Sequence, residues 1–405
     1  MRIPRSAGLV AGLLAGTVLA SGAAQAQMSD NVIKIGMLSD RSGIYADING
    51  EGSAVAARMA AEEFGNAVNG TKIEIIVGDH QNKADIAANL ARQWIDTEKV
   101  DVVADVPNSA AALAVQAITR DKKRLFLMSG PGSTDLTGKE CSPYGFQWTW
   151  DNHAVASATA RALVEQGRKS WFFITADYAF GHSLEAEAAN TVKQLGGTIK
   201  GSVRHPLGAS DFSSYLLQAQ ASGAEVVAFA NAGGDTINGV KQAAEFGIPQ
   251  GGQTLAGLLL NINDIQALGL ETSQGLMLAN SFYWDMTEET RGWSKKFEER
   301  TGRKPSMNQA GVYSSVRHYL KAVQELGTDD PDKVAAKMRA MPVTDMMMKE
   351  VRIAANGRVF DDMYLAQVKT PAESKYAWDY FKILKTVPGA QAYIDPKDSG
   401  CPLVK

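Results

Sequence analysis

The chain has 405 residues, 41 basic and 44 acidic side chains, a formal net charge of −3 and 45% hydrophobic residues. So balanced a charge leaves no basic footprint for nucleic acid, and none is expected as a partner. The length is too great for one core and points to two domains.

The N-terminal stretch reads as an export leader. Arg2 and Arg5 form a basic head, and Ala7 to Ala20 is an apolar run, shorter than the roughly 20 residues a membrane span needs. Ala24-Gln25-Ala26 then supplies a small-x-small cleavage pattern. Residues 1–26 are therefore expected to be removed after Ala26, releasing a soluble protein to the periplasm with 39 basic and 44 acidic residues. The two cysteines, Cys141 and Cys401, sit beside Ser, Gly and Pro. An even pair in an oxidising compartment usually bonds, so a Cys141–Cys401 disulfide is expected, with two separate buried thiols as the other reading.

The body alternates strand and helix. Val32 to Leu38 is a short apolar strand closed by a Ser-Asp-Arg-Ser-Gly loop, and a helix follows over 50–64. Ile73, Ile75 and Val77 alternate along a strand; Ile86, Leu90 and Trp94 then draw one apolar stripe along a helix. Strands at 101–106 and 125–128 flank a helix marked by Ala111, Val115 and Ile118. A second series starts after Asp151: a helix over 154–166, a strand at 171–174, a helix over 184–195 stopped by Gly196-Gly197, a strand at 225–230 and a helix over 236–246 ended by Gly247. Strands at 254–260 and 275–279 complete it. Helix-length spacers between strands imply parallel sheets with crossover helices. The pattern then changes to three successive helices, 288–301, 308–326 and 331–339, and a strand pair, 351–353 with 364–368, around the turn at 355–358.

Motifs for catalysis are missing from the sequence. The five histidines, His80, His153, His182, His205 and His318, make no His-Glu-x-x-His run, there is no Gly-x-Ser-x-Gly elbow, and no Gly-x-x-x-x-Gly-Lys-Ser/Thr loop. Gly130-Pro131-Gly132 lacks a third glycine and carries a proline that removes a donor, so a plain turn is the better reading than a dinucleotide site. No enzyme, metal or cofactor is expected.

In order and spacing, several segments resemble the branched-chain amino-acid-binding (leucine-binding) family of type I periplasmic binding proteins, substrate-binding subunits of ABC importers. They are Ile33 to Leu38 with Ser42-Gly43-Ile44-Tyr45, Val102 to Ala114, Ser129 to Thr137, Asp177-Tyr178-Ala179-Phe180-Gly181, and Val359-Phe360-Asp361. The resemblance spans 32–405. It implies an α/β fold of two doubly wound parallel-sheet lobes joined by three hinge crossings, closing on a small-molecule ligand and handing it to a membrane permease; the protein is expected to act as a monomer. Lobe 1 would comprise 30–150 and 281–345, lobe 2 151–280 and 346–405, with crossings near Trp150, Asn280 and Val343 to Lys349.

Ligands of open α/β sheets bind beyond the carboxyl ends of strands, where these loops fall. Asn108 and Ser109, at a helix start whose first N–H groups are unpaired, are expected to grip a carboxylate or to cap the helix. Gly130, Pro131 and Ser133 would add contacts. Tyr45, Trp148, Trp150, Tyr178 and Phe180 cluster at the cleft loops and suit a ring or a branched chain, with ordinary packing expected for at least two of them. Where family members that hold amino acids place an acid for the ligand ammonium, gap-free counting puts Leu258, and a buried ammonium without a counter-charge costs several kcal/mol. Asp235 or Asp177 would have to compensate. The expected ligand is a small carboxylate with an aromatic or apolar body; import of branched-chain or other amino acids and a ligand-sensing module are the alternatives.

Overall fold

The computed structural model describes residues 28–404 and residue 1; the leader lies outside the described residues. The first series builds β1 (Val32–Ser39), α1 (Gly50–Glu62), β2 (Ala67–Val68), β3 (Thr71–Asp79), α2 (Ala84–Asp96), β4 (Val102–Asp105), α3 (Ser109–Asp121), β5 (Leu125–Met128) and β6 (Gly145–Gln147). These strands form one sheet in the order β2-β3-β1-β4-β5-β6, parallel except for the β2–β3 pair. Alternation decides which helix each side chain meets. Ile33, Ile35 and Met37 of β1 join the core that holds Ala56, Ala57 and Ala60 of α1, while Leu38 packs with Trp94 of α2. A Cβ at Gly36 or Gly78 would stand 2.6 or 2.7 Å from the Trp94 ring, so these two glycines make the slot that the indole fills.

The second series gives α4 (Asn152–Glu165), β7 (Ser170–Ala176), α5 (Ala179–Gln194), β8 (Thr198–His205), α6 (Ser213–Ala221), β9 (Val226–Ala230), α7 (Gly234–Glu245), β10 (Thr254–Gly257), α8 (Ile262–Leu268), α9 (Leu270–Ser273) and β11 (Met277–Asn280). Its parallel sheet runs β10-β9-β7-β8. β8 and α6 carry mixed, half-exposed patterns and were not expected. The three late helices are α10 (Glu288–Thr301), α11 (Met307–Leu326) and α12 (Pro331–Ala340), each opened by a side-chain cap from Thr287, Ser306 or Asp330. They belong with the first sheet: the Ser306 hydroxyl donates to the Ile48 carbonyl at 2.6 Å, and α11 lies along α1.

The end of the chain departs from the sequence expectation. Residues 364–368 do not pair with 351–353. Ile353 bridges to Val359 instead, and β12 (Met363–Val368) pairs antiparallel with β11 on one side and β13 (Phe381–Val387) on the other. Nor does the chain leave the first lobe at Val343 to Lys349. Val343 pairs with Val351, and the N–H of Val359 still donates to Gln147 of β6 at 3.0 Å, so the chain stays beside the first sheet through Val359. The tail then returns, because Cys401 is bonded to Cys141 with their Cα atoms 5.7 Å apart.

Candidate ligand-binding cleft

Strand ends from both sheets converge on one gap. On the first-lobe side, the buried Asp40 carboxylate after β1 accepts the N–H groups of Gly43 (2.8 Å) and Tyr45 (2.9 Å) and the Asn82 amide, which folds the loop and projects Tyr45. β4 ends in two consecutive left-handed residues, Asp105 (φ 78°) and Val106 (φ 54°). For a β-branched residue this is a genuine outlier costing roughly 1–3 kcal/mol, of the kind concentrated at functional sites. The kink delivers Pro107 to the gap, and Gly130 after β5 lies against it: a Cβ at Gly130 would stand 2.7 Å from Pro107 Cα. From the second lobe come Tyr178 and Phe180 at the start of α5, Ala232 after β9 and Leu259 after β10.

The walls stand close together. Between them remains a free volume of about 10 Å³, about the space of one water. The Tyr45 and Tyr178 hydroxyls hydrogen-bond across the gap, and the Gly234 N–H reaches the Ile44 carbonyl at 3.2 Å. Trp150, between β6 and α4, meets the Phe180 ring edge-on at 6.2 Å, and Tyr178 lies 5.9 Å from Phe180, so four aromatic rings line one continuous wall.

The polar side of the cavity is a buried relay. The Trp150 indole N–H donates to Asn308 Oδ1 (2.7 Å), Asn308 Nδ2 to Asn49 Oδ1 (2.9 Å), Asn49 Nδ2 to Asp105 Oδ1 (2.6 Å), and the Ser39 hydroxyl to Asp105 Oδ2 (2.8 Å). Burial pushes the Asp105 carboxyl up to about 6, against the pull of these donors. Burial also raises both tyrosine hydroxyls above their ordinary range, with Asp235 and Asp40 adding to it. Among the described residues no Lys, Arg, Asp or Glu lines the cavity.

Five of the sequence-named residues, Tyr45, Gly130, Trp150, Tyr178 and Phe180, are brought together here. The others are not. Asn108 Oδ1 caps α3 by accepting the Ala111 N–H (3.0 Å), and Ser109 Oγ accepts the Ser133 N–H (3.2 Å), so these side chains serve the lobe's interior. The Pro131 carbonyl is held by Gln147 (3.0 Å), and Trp148 is buried with its indole on Ser314. The Leu258 N–H still follows the β9 ladder to Phe229 at 3.2 Å, and its neighbour Leu259 faces the gap. Asp177 is exposed and paired with His182 at 2.8 Å. Asp235 is buried beside the tyrosines: Oδ2 accepts the Gly208 N–H (3.1 Å), Oδ1 has no protein partner among the described residues, and burial raises its carboxyl to about 6. The sequence reading missed Asn49, Asn308 and Pro107. Only the proline carried a signal, since it precedes the named Asn108. No group of three or more His, Cys, Asp or Glu among the described residues could hold a metal ion.

Two parallel-sheet lobes, a cleft at their strand ends and polar contacts across it define a solute-binding protein. The chain belongs to the periplasmic binding protein family, whose model matches residues 32–375. It is a solute-binding protein of an ABC transporter, from a family that binds rather than catalyses. It is similar to a periplasmic binding protein from Burkholderia mallei, with 47% identity and a TM-score of 0.91, covering 93% of this chain and all of that one. It also resembles a branched-chain amino acid ABC transporter periplasmic ligand-binding protein from Burkholderia xenovorans, with 37% identity, a TM-score of 0.82 and coverage of 92% and 100%. A solute-binding protein from Rhodopseudomonas palustris, solved with 3,4-dihydroxybenzoic acid, shares the fold at 21% identity, a TM-score of 0.81 and coverage of 89% and 98%.

Proposed function

We propose that the cleft captures a small organic carboxylate with an aromatic or apolar body and, by lobe closure, delivers it to the permease of the importer. The observation that carries this is the make-up of the cavity wall. Four aromatic rings and Leu259 supply flat apolar surface, neutral amides and hydroxyls supply the polar contacts, and no acid lines the space for an ammonium. A ring enters when the lobes part, in place of the Tyr45–Tyr178 hydrogen bond, and closure then sandwiches it between residues of both lobes. That an aromatic acid fits this fold is the precedent of the Rhodopseudomonas protein. On this reading the leader is cut after Ala26, and the chain works as a periplasmic monomer whose lobes divide at the Trp150 and Asn280 crossings and at the one after Val359.

One observation favours amino acids instead: the unpartnered Asp235 oxygen lies near Tyr45 and Tyr178, and a small rearrangement would offer it to an ammonium. Calorimetric titration of the stripped protein with benzoate, 4-hydroxybenzoate and leucine separates the two. Micromolar or tighter binding of an aromatic acid, with leucine much weaker, is expected; leucine binding without any response to the aromatic acids overturns the proposal.

A further inference from the structure

A buried carboxylate ligand needs donors, and the side chains expected to supply them are engaged. The Asn108 side chain caps its own helix, Ser109 holds Ser133, and Pro107, the residue of that loop which reaches the cavity, has no N–H to give. Besides the Tyr45 hydroxyl, which faces Tyr178, what remains on the first-lobe wall is the pair of carboxamides of Asn49 and Asn308.

Their orientation is fixed from both ends. An indole N–H can only donate and an ionised carboxylate can only accept. Trp150 therefore demands the oxygen of Asn308, which turns the Asn308 amide nitrogen toward Asn49; Asp105 demands the nitrogen of Asn49, which turns the Asn49 oxygen toward Asn308. Neither amide can invert without setting donor against donor or acceptor against acceptor. Each NH2 carries two hydrogens and uses one in the relay, so each keeps one N–H without a protein partner among the described residues. Both residues are at least 98% buried and both line the cavity.

We propose that Asn49 and Asn308 are the carboxylate-recognising residues of this cleft, held in a donor-presenting orientation by the relay from the Trp150 indole to Asp105. This rests on the reading that the cleft takes carboxylates, but not on which carboxylate it takes. Asn49 and Asn308 are the residues that touch the ligand. Trp150 forms part of the wall as well, while Asp105 acts only through Asn49 and is a positioning residue. Recognition by neutral amides in place of a cation suits a site that must release its ligand to the permease, because no buried charge is stranded when the ligand leaves.

The test compares an acid with its neutral amide in each variant. Benzoate and benzamide are titrated calorimetrically into the full mature chain, alongside Asn308→Ala, Asn49→Ala and Asp105→Asn, with thermal melting to establish folding. One hydrogen bond to a charged group is worth roughly 10- to 100-fold in affinity. Asn308→Ala and Asn49→Ala are each expected to lower benzoate affinity by about that factor while moving benzamide only a few-fold. Asp105→Asn, which replaces an acceptor-only group by one that can also donate to Asn49, is expected to loosen the amides and shrink the benzoate-to-benzamide preference without touching the ligand. Should Asn49→Ala fail to fold, Asn308→Ala decides alone. An unchanged preference in the folded variants overturns the inference while leaving the proposed function standing. If the wild type answers leucine and not benzoate, the aromatic reading falls, and the same comparison with leucine and leucinamide decides the role of the amides. A wild type that binds none of benzoate, 4-hydroxybenzoate and leucine overturns both.

Discussion

Gly233 offers a way to block closure from a residue outside the cavity lining, although a Cβ there would also stand 3.1 Å from Tyr45 Cδ1. It sits at φ 57° before α7 in the second lobe, and a Cβ added there would stand 2.4 Å from the Ile44 carbonyl oxygen of the first lobe. The neighbouring Gly234 N–H donates to that same oxygen at 3.2 Å. In Gly233→Ala the backbone penalty of a left-handed alanine is present whether the lobes are together or apart, so it lowers overall stability and leaves the closing equilibrium untouched. The clash exists only when the lobes meet. Relieving it means backing the lobes apart by several tenths of an ångström, an overpacking cost of about 1–3 kcal/mol, and losing a hydrogen bond worth about 0.5–1.5 kcal/mol. On the proposed mechanism ligand binding drives closure, so affinity should fall by roughly ten- to two-thousand-fold. Gly275→Ala is the control: it too has positive φ (81°), but an added Cβ meets nothing within 4 Å. Calorimetry with benzoate and leucine measures affinity, and small-angle scattering measures the ligand-induced change in radius. Equal affinities in wild type and Gly233→Ala, or an equal loss in both alanine variants, would refute the wedge.

Three further outcomes are expected. Replacing both Cys141 and Cys401 by serine opens a cross-link of sequence separation 260 and should cost about 2–4 kcal/mol in urea unfolding, an unchanged midpoint counting against a stabilising role. Arg358 is buried, donates to the Trp150 and Val359 carbonyls (both 2.8 Å), lies 3.7 Å from Asp361 and stacks over Tyr393; Arg358→Met should cost roughly 3–5 kcal/mol in chemical denaturation, and a loss under 1 kcal/mol would mean the network is dispensable. Burial raises Asp101 and Asp264 to about 7, so the folded chain keeps protons that the unfolded chain has already lost: this stabilisation is complete below about pH 4 and disappears as pH rises through 7. The buried His80 and His318, lowered to about 4 by burial, act oppositely but only below about pH 6.5, so between pH 6.5 and 8 stability should fall by about 1–2 kcal/mol. Asp101→Asn should roughly halve that slope in urea titrations, and a slope that does not change would remove Asp101 from the account.

What could be read from the sequence was local. Apolar runs of strand length, glycine stops such as Gly196-Gly197, and aromatics on strand-end loops located both parallel sheets and five cavity residues. The remainder depended on contacts distant in sequence or on a register of one residue. Counting without a gap chose Leu258, but successive strand residues face opposite sides and the last ladder bond falls at Leu258, so Leu259 turns to the cleft. Asn308 read as an ordinary helix opening, because nothing in its own neighbourhood announces that Trp150 and Asn49 will meet it. The 364–368 segment was given the nearest available partner, whereas its true neighbours are β11 and β13, of which β13 is a lysine-bearing, mostly exposed edge that carries little periodic signal.

The same distant contacts explain how the hinge and the cleft are linked. Trp150, at the proposed first crossing, lines the cavity with its ring and anchors the amide relay with its N–H, while its carbonyl accepts Arg358. Arg358 in turn lies just before the crossing proposed after Val359, and its Tyr393 partner donates to Thr149, one residue before Trp150. A rotation at either proposed crossing would therefore move a group bonded to the cavity wall. Contacts from Phe180, delivered by the second lobe, and Asn308, rooted in the first, meet on this one indole. On the proposed function, ligand contacts made there would bear on both lobes at once, and that shared bearing would let a ligand's differential affinity favour the closed arrangement.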